Sequence, residues 1–248
     1  GKELKRFRRR VQMIFQDPYE SLDPRFTVYD TISEPLEVHG FDSKKRREIV
    51  YDVLERVELT PPQNFVGRYP HELSGGQRQR VAIGRAIALN PEFIVADEPV
   101  SMLDTSVRAG ILQLMLKLRR ELNVTYLFIT HDLSIARYMC DRITVMFRGK
   151  ILEAGPKQEI IENPRHPYTQ ILLASMPIPD PYQKRTRVRL PNEMIDAYDV
   201  RGGCIFYTRC PYSKDRCRVD EPPPVKISPE HIVYCHFPEA TSLASTYL

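Results

Sequence analysis

LSGGQRQRVAIGRAIALNPEFIVADE, residues Leu73–Glu98, joins a glycine turn, a helix and a strand in one run. Ser74-Gly75-Gly76 places a hydroxyl and two glycines at the head of the helical pattern. Backbone approaches a ligand closely there, and free N–H groups with the helix dipole favour an anion. Val81, Ile83, Ala86, Ile87 and Leu89 supply the apolar positions of the helix, which Asn90-Pro91 stops. Phe93-Ile94-Val95-Ala96 has the length and composition of a short buried strand, and it delivers Asp97 and Glu98 to its C-terminal end. Two carboxylates just past a parallel strand suit phosphoryl chemistry, one holding Mg²⁺ and the other activating water. Each piece alone is equally a turn, a core helix or a solvated strand end; their order and separation carry the signal.

The whole run resembles the signature motif and Walker B strand of the ATP-binding-cassette (ABC) ATPases. That resemblance implies an α/β fold: a P-loop NTPase-like core with a parallel sheet and a helical subdomain, here about residues 17–90, followed by a small irregular Cys-containing extension. The cassette resemblance covers about residues 1–155, and residues 156–248 form the expected extension. Val11–Phe15 has the pattern of a strand leading to Gln16, and MIFQDPYESLDPRFTV resembles the Q-loop of the peptide-importer branch. By that resemblance Gln16 reaches the Mg²⁺ and the attacking water. Ser101-Met102-Leu103-Asp104 resembles the D-loop, with methionine as a mild departure. Val124–Ile129 is a second buried-strand pattern ending in Thr130-His131-Asp132, and His131 matches the family's switch histidine at the γ-phosphate. A lone histidine is otherwise more often structural.

Between these motifs the periodicity is helical. Asp42 or Ser43 is placed to cap a helix with Ile49, Val53, Leu54 and Val57 on one side, stopped by Pro61-Pro62. Asp104 or Thr105 is placed to cap another, with Val107, Ile111, Leu114, Met115, Leu118 and Leu122 as its core stripe. Ile143–Phe147 and Lys150–Glu153 read as a hairpin around Arg148-Gly149.

Composition bounds the rest. With 248 residues and 42% apolar content the chain is long enough for one large domain or two small ones. No apolar run approaches the roughly 18 residues that span a bilayer, and the basic start KELKRFRRR is followed by too short an apolar run for a signal peptide. The net charge of +4 is too mild to argue for nucleic acid. No G-x-x-x-x-G-K-[ST] loop occurs, and the first residue is glycine. The expectation is therefore a chain lacking the N-terminal Walker A part, inactive as an ATPase by itself.

Beyond Gly155, PRHPYT followed by QILLA resembles the C-terminal extension of oligopeptide and dipeptide importer ATPases. His166, between two prolines' turns, reads as a structural residue. Cys204, Cys210, Cys217 and Cys235 follow, spaced C-x5-C-x6-C-x17-C, while Cys140 stands apart as a small core residue. Four thiolates on short loops can wrap one tetrahedral or cubane centre. The resemblance implies a [4Fe–4S] cluster; zinc, two disulfides or free thiols are the alternatives.

Taken together, the resemblance implies an ATP-hydrolysing subunit of an importer for di- or oligopeptides, with oligosaccharide or nickel import, or a degenerate non-hydrolysing cassette, as alternatives. Ser74, Gly75, Gly76, Gln77 and Asp104 would bind nucleotide. Asp97 and Gln16 would serve Mg²⁺, and Glu98, His131 and Gln16 would serve hydrolysis of ATP. The implied partners are a second ATPase subunit, two membrane permease subunits and an extracytoplasmic solute-binding protein, with no nucleic acid. The implied place is the cytoplasmic face of the membrane, as a peripheral subunit. A DNA- or ribosome-directed cassette would call for a strongly basic insertion or a tandem cassette, neither of which is visible.

Overall fold

The computed structural model describes residues 1–176 and 202–238. The chain divides into two units, Gly1–His131 and Asp132–Leu248. Residues 177–201 and 239–248 of the expected C-terminal extension lie outside the described residues.

The first unit opens with α1 (Lys2–Arg10), exposed throughout, which runs into β1 (Val11–Ile14). One helical turn, α2 (Pro18–Ser21), is capped by Asp17, whose carboxylate accepts the Tyr19 N–H at 2.7 Å. A Thr27–Asp30 capping box starts α3 (Val28–Val38). The Asp42 carboxylate caps α4 (Ser43–Arg56) through the Lys45 N–H at 2.9 Å, as its sequence position predicts. Then come α5 (Gly75–Ile87), β2 (Phe93–Asp97), α6 (Thr105–Leu122) and β3 (Thr125–Ile129).

α3, α4 and α5 pack on one another, burying Ile32, Leu36, Val50, Leu54 and Ile83 completely. Each such side chain contributes about 1.5–3 kcal/mol over its exposed state. Of the predicted core stripe on α6, Ile111, Leu114, Met115 and Leu118 are buried, while Val107 and Leu122 at its ends are half-buried.

Strands β1, β2 and β3 form a parallel sheet in that order, with Ile14 opposite Ala96 and Ala96 opposite Phe128. β3 departs from its expected burial: Thr125, Leu127 and Ile129 are exposed. It is an edge strand within the described residues, and one face of the sheet, including Met13 and Leu127, is open.

The second unit begins with α7 (Leu133–Met139), whose end at Cys140 packs beside Ala136, Ile143, Val145 and Ile160. β4 (Arg142–Phe147) and β5 (Lys150–Pro156) form the predicted hairpin. Its turn residues Arg148 and Gly149 have φ of 47° and 80°, the positive values of a type I′ turn. After α8 (Lys157–Glu162), α9 (Pro167–Ala174) and α10 (Asp215–Val219), the short strands β6 (Pro224–Lys226) and β7 (Ile232–Tyr234) complete an antiparallel sheet in the order β4-β5-β7-β6. Glu153 pairs with Val233 and Ala154 with Ile232. β5 pairs back with β4 and forward with β7, so residues on both sides of position 155 share one sheet.

Candidate active site

The parallel register brings three of the expected residues together. Ile14, Ala96 and Phe128 lie side by side, so Gln16, Glu98 and His131 all emerge just past the same end of the sheet. The Glu98 carboxylate accepts from Gln16 Nε2 at 3.1 Å on one oxygen and lies 2.9 Å from His131 Nδ1 on the other. Against an ionised carboxylate, Nδ1 carries the imidazole proton and donates it. The Glu98 side chain is 23% exposed and that of His131 74%, so the pair opens to solvent at the histidine. Such a carboxylate can orient or deprotonate a water molecule.

Glu98 also has a feature that its motif does not reveal. Its φ is 41°, in the left-handed region that a residue with a side chain seldom occupies. Its N–H donates to Ile129 O at 3.0 Å, and its carbonyl accepts from both the N–H and the hydroxyl of Ser101 at 3.1 and 3.0 Å. Arg108 secures the following turn by donating to Ser101 O and Leu103 O. Asp97 ends β2 opposite Ile129 and is partly buried.

The signature residues form a separate group at the start of α5. Ser74 Oγ accepts the Gln77 N–H at 3.3 Å, while Gln77 Oε1 accepts the Ser74 N–H at 2.9 Å, a reciprocal capping box. That box satisfies the Ser74 and Gln77 N–H groups at the head of α5. A Cβ on Gly76 would stand 2.6 Å from Val107 Cγ1, so a glycine is what lets α5 meet α6 there. Asp104 is the N-terminal residue flanking α6, but its exposed side chain makes no capping hydrogen bond; only its carbonyl engages, with Val107 and Arg108 N–H.

All four late cysteines line one cavity, together with His166, Phe206 and Phe237. Burial pushes the Cys204 and Cys235 thiols up, and pushes Cys210 up to about 12. Cys204 N–H donates to Cys217 O at 2.8 Å, tying two of the loops. The donor chemistry suits a thiolate-held centre, yet among the described residues no group of three or more His, Cys, Asp or Glu is arranged to hold a metal ion. The expected iron–sulfur or zinc centre is thus met only in the gathering of the four cysteines. His166 is structural as expected: 1% exposed, it caps α9 by accepting the Tyr168 N–H at 3.0 Å, and burial lowers its pKa to about 4.

A polar cluster that no motif announces lies in the same unit. His231 and Glu153 are both fully buried, with Nε2 2.7 Å from Glu153 Oε1. Nδ1 lies 3.2 Å from Glu159 Oε2. Glu153 also accepts the Arg165 and His166 N–H groups at 2.6 and 3.1 Å. Glu153 stands between Ile151-Leu152 and Ala154-Gly155, a carboxylate in an apolar stretch that motif reading passes over.

Comparison with known proteins gives the family. The family described as ABC transporter matches residues 1–101, and that described as oligopeptide/dipeptide transporter, C-terminal region, matches residues 152–217. The chain is 48% identical over 235 residues to the oligopeptide transport ATP-binding protein AppF of Bacillus subtilis, covering 94% of this chain and 71% of that protein. Among solved structures it resembles the dimeric, post-hydrolysis ATP-binding cassette MJ0796 bound to ADP and phosphate, with TM-score 0.55, 34% identity, and coverage of 63% of this chain and 67% of that one. It also resembles CbiO1 of Clostridium perfringens, part of an ABC transporter complex, with TM-score 0.59, 28% identity, and coverage of 65% and 63%. The chain belongs to the ABC transporter ATPases, in the branch that carries the oligopeptide/dipeptide C-terminal region.

Proposed function

We propose that the chain energises a peptide importer by hydrolysing ATP, with Glu98 as the group that activates water. The observation that carries this reading is the Glu98 carboxylate held between Gln16 and His131 at the end of a parallel sheet. Glu98 takes the proton of the attacking water or orients it. His131, on the solvent side of the pair, is placed to meet the negative charge of the terminal phosphate. Asp97 and Gln16 would hold Mg²⁺, which when bound neutralises phosphate charge. Ser74, Gly75, Gly76 and Gln77 offer the head of α5 to the phosphates of a second ATPase subunit's nucleotide, and Asp104 borders that contact.

Peptide as the cargo is supported by the likeness to AppF. No helix among the described residues is long and apolar enough to cross a membrane. The membrane path therefore belongs, in this reading, to two permease subunits supplied by an extracytoplasmic binding protein, with the ATPase docked at the cytoplasmic face. Cys204, Cys210, Cys217 and Cys235 would hold a structural [4Fe–4S] centre, with zinc as the second candidate. The support is four thiols around one cavity.

The test is peptide-stimulated phosphate release by the full-length ATPase assembled with its permeases. Hydrolysis that Glu98→Gln abolishes supports the reading, and hydrolysis indifferent to Glu98 overturns it. For the cysteines, anaerobically purified protein should be brown with iron and sulfide in equal amounts. Stoichiometric zinc and no colour would replace the cluster by a zinc site.

A further inference from the structure

Helix α4 ends in Leu54-Glu55-Arg56-Val57-Glu58-Leu59. Glu58 N–H donates to Glu55 O at 3.0 Å, and Leu59 N–H donates to Leu54 O at 2.9 Å. Those two bonds make the Schellman closure of a helix, whose left-handed residue is ordinarily glycine. Here that residue is Glu58, at φ 60°. A side chain in this region strains the backbone where glycine would not. The carboxylate gives the position a use that glycine lacks.

Glu58 Oε2 accepts from Arg80 Nη1 at 2.7 Å, and Oε1 lies 3.6 Å from Lys117 Nζ. The same Nη1 donates to Val57 O at 2.7 Å, the carbonyl at the C-terminal cap of α4. On its other side the guanidinium rests over α6, where a Cβ on Gly110 would stand 3.9 Å from Arg80 Nη2. Arg80 belongs to α5 and Lys117 to α6, so the three helices meet at this one carboxylate. The Glu58 side chain is 47% exposed and that of Arg80 20%, so the ion pair by itself adds little stability. Its effect lies in geometry, because a guanidinium is a rigid planar fork with fixed donor directions.

Arg80 stands one helical turn beyond Gln77. The head of α5 is seated on α6 by glycines: a Cβ on Gly75 would lie 3.6 Å from Leu103 Cδ2, and one on Gly76 2.6 Å from Val107 Cγ1. Glycine permits that close approach but holds nothing in place. The tie one turn further along supplies the hold. We propose that Glu58 is a positioning residue, which through Arg80 sets the seat of α5 on α6 and so aims the Ser74–Gln77 turn at the nucleotide of the second ATPase subunit. This rests on the assignment of that turn to nucleotide in the proposed function.

The test uses the full-length ATPase assembled with its permeases and the second ATPase subunit. Glu58→Gly removes the carboxylate and relieves the left-handed backbone in one step. Its melting temperature should stay level or rise by a few degrees. ATP turnover should nevertheless fall by about tenfold, the cost of a misaimed group. Affinity of the full-length chain alone for a fluorescent ATP analogue should stay within about twofold of wild type, since the turn serves the other subunit's nucleotide. Arg80→Met should slow turnover as far, and the double variant no further, because both changes remove one contact. Glu58→Gln, which keeps the length and one acceptor oxygen, should retain most of the rate. Wild-type turnover in Glu58→Gly, or a double variant that multiplies the single losses, overturns the proposal. So does a joint fall of turnover and melting temperature in Glu58→Gly, which would make the residue a prop of the fold alone. Ser74→Arg, which fills the turn, is the reference. Unimpaired turnover there would remove the nucleotide assignment of the turn, and the role of Glu58 with it.

Discussion

Glu98 and His131 come from neighbouring parallel strands and meet at 2.9 Å, with Gln16 on the other carboxylate oxygen. Glutamine in place of Glu98 keeps the size of the side chain but cannot accept a proton from water. In the full-length ATPase, Glu98→Gln should slow hydrolysis by about 10²–10⁴-fold. ATP affinity, followed with a fluorescent analogue, should remain. An equal fall in affinity would instead make Glu98 a binding or folding residue. The backbone at φ 41° is already unusual for a side-chain-bearing residue, and glutamine leaves it as it is, so a lost rate reports chemistry.

The head of α5 depends on close packing as well as on chemistry. A Cβ at Gly76 would stand 2.6 Å from Val107 Cγ1, well inside contact distance. Gly76→Ala should destabilise the first unit by about 1–3 kcal/mol, the usual range for an overpacked contact. Shortening the neighbour in Gly76→Ala/Val107→Ala should recover most of that loss. Denaturant titration checks both. A double variant as unstable as the single one would place the requirement in the backbone rather than in the α5–α6 contact.

Much of this site was legible because its signals are local. Ser74-Gly75-Gly76-Gln77 caps a helix by a spacing visible in the sequence, and the apolar run ending at Asp97 and Glu98 has the length of one short strand. The meeting of Gln16, Glu98 and His131 followed from the family resemblance, not from spacing, since residues 16, 98 and 131 are brought together only by the register of three strands. The exposure of Leu127 and Ile129 was missed because strand composition does not say which strand lies at an edge. Tyr19 on Arg78 and His231 between Glu153 and Glu159 escaped for the same reason: each joins distant segments through a single side chain with no motif around it. The cysteine spacing led to the expectation of one metal or cluster centre; the structure gathers the four thiols around one cavity, but among the described residues no group of three or more His, Cys, Asp or Glu is arranged to hold an ion.

Gly203 provides a test of that cavity. A Cβ there would lie 2.4 Å from Arg218 O and 2.7 Å from Cys217 O, both backbone atoms that cannot swing aside. Gly203→Ala must therefore push the loop bearing Cys204 away from α10 and break the 2.8 Å bond from Cys204 N–H to Cys217 O. Faster labelling of Cys204 and Cys217 by a thiol reagent, and faster proteolysis around residues 202–238, are expected. Labelling no faster than in the parent would show that the two thiols do not depend on this contact.

The buried His231 gives the second unit a pH dependence whose sign is determined by its neighbours. Glu153 from β5 and Glu159 from α8 both face the imidazole, and the Ser228 hydroxyl donates to Glu159 at 2.9 Å. The hydrogen bond to Glu153 and the charge of both carboxylates raise the His231 pKa against the opposing effect of burial. A group held protonated in this way stabilises the fold fully below the unfolded histidine value of about 6.5, and that contribution is lost as pH rises through the higher folded value. Removing it leaves Glu153, fully buried, with two backbone N–H donors and no cationic partner. His231→Ala should therefore cost about 3–5 kcal/mol at low pH, the usual consequence of breaking a buried pair. The gap in melting temperature between parent and variant should be widest near the acid end of the stable range and narrow progressively on the alkaline side. Glu153→Gln, which removes the charge but keeps the shape, should flatten the parent's pH profile in the same way. A gap that stays constant across the range would mean that His231 is held neutral and acts by packing alone.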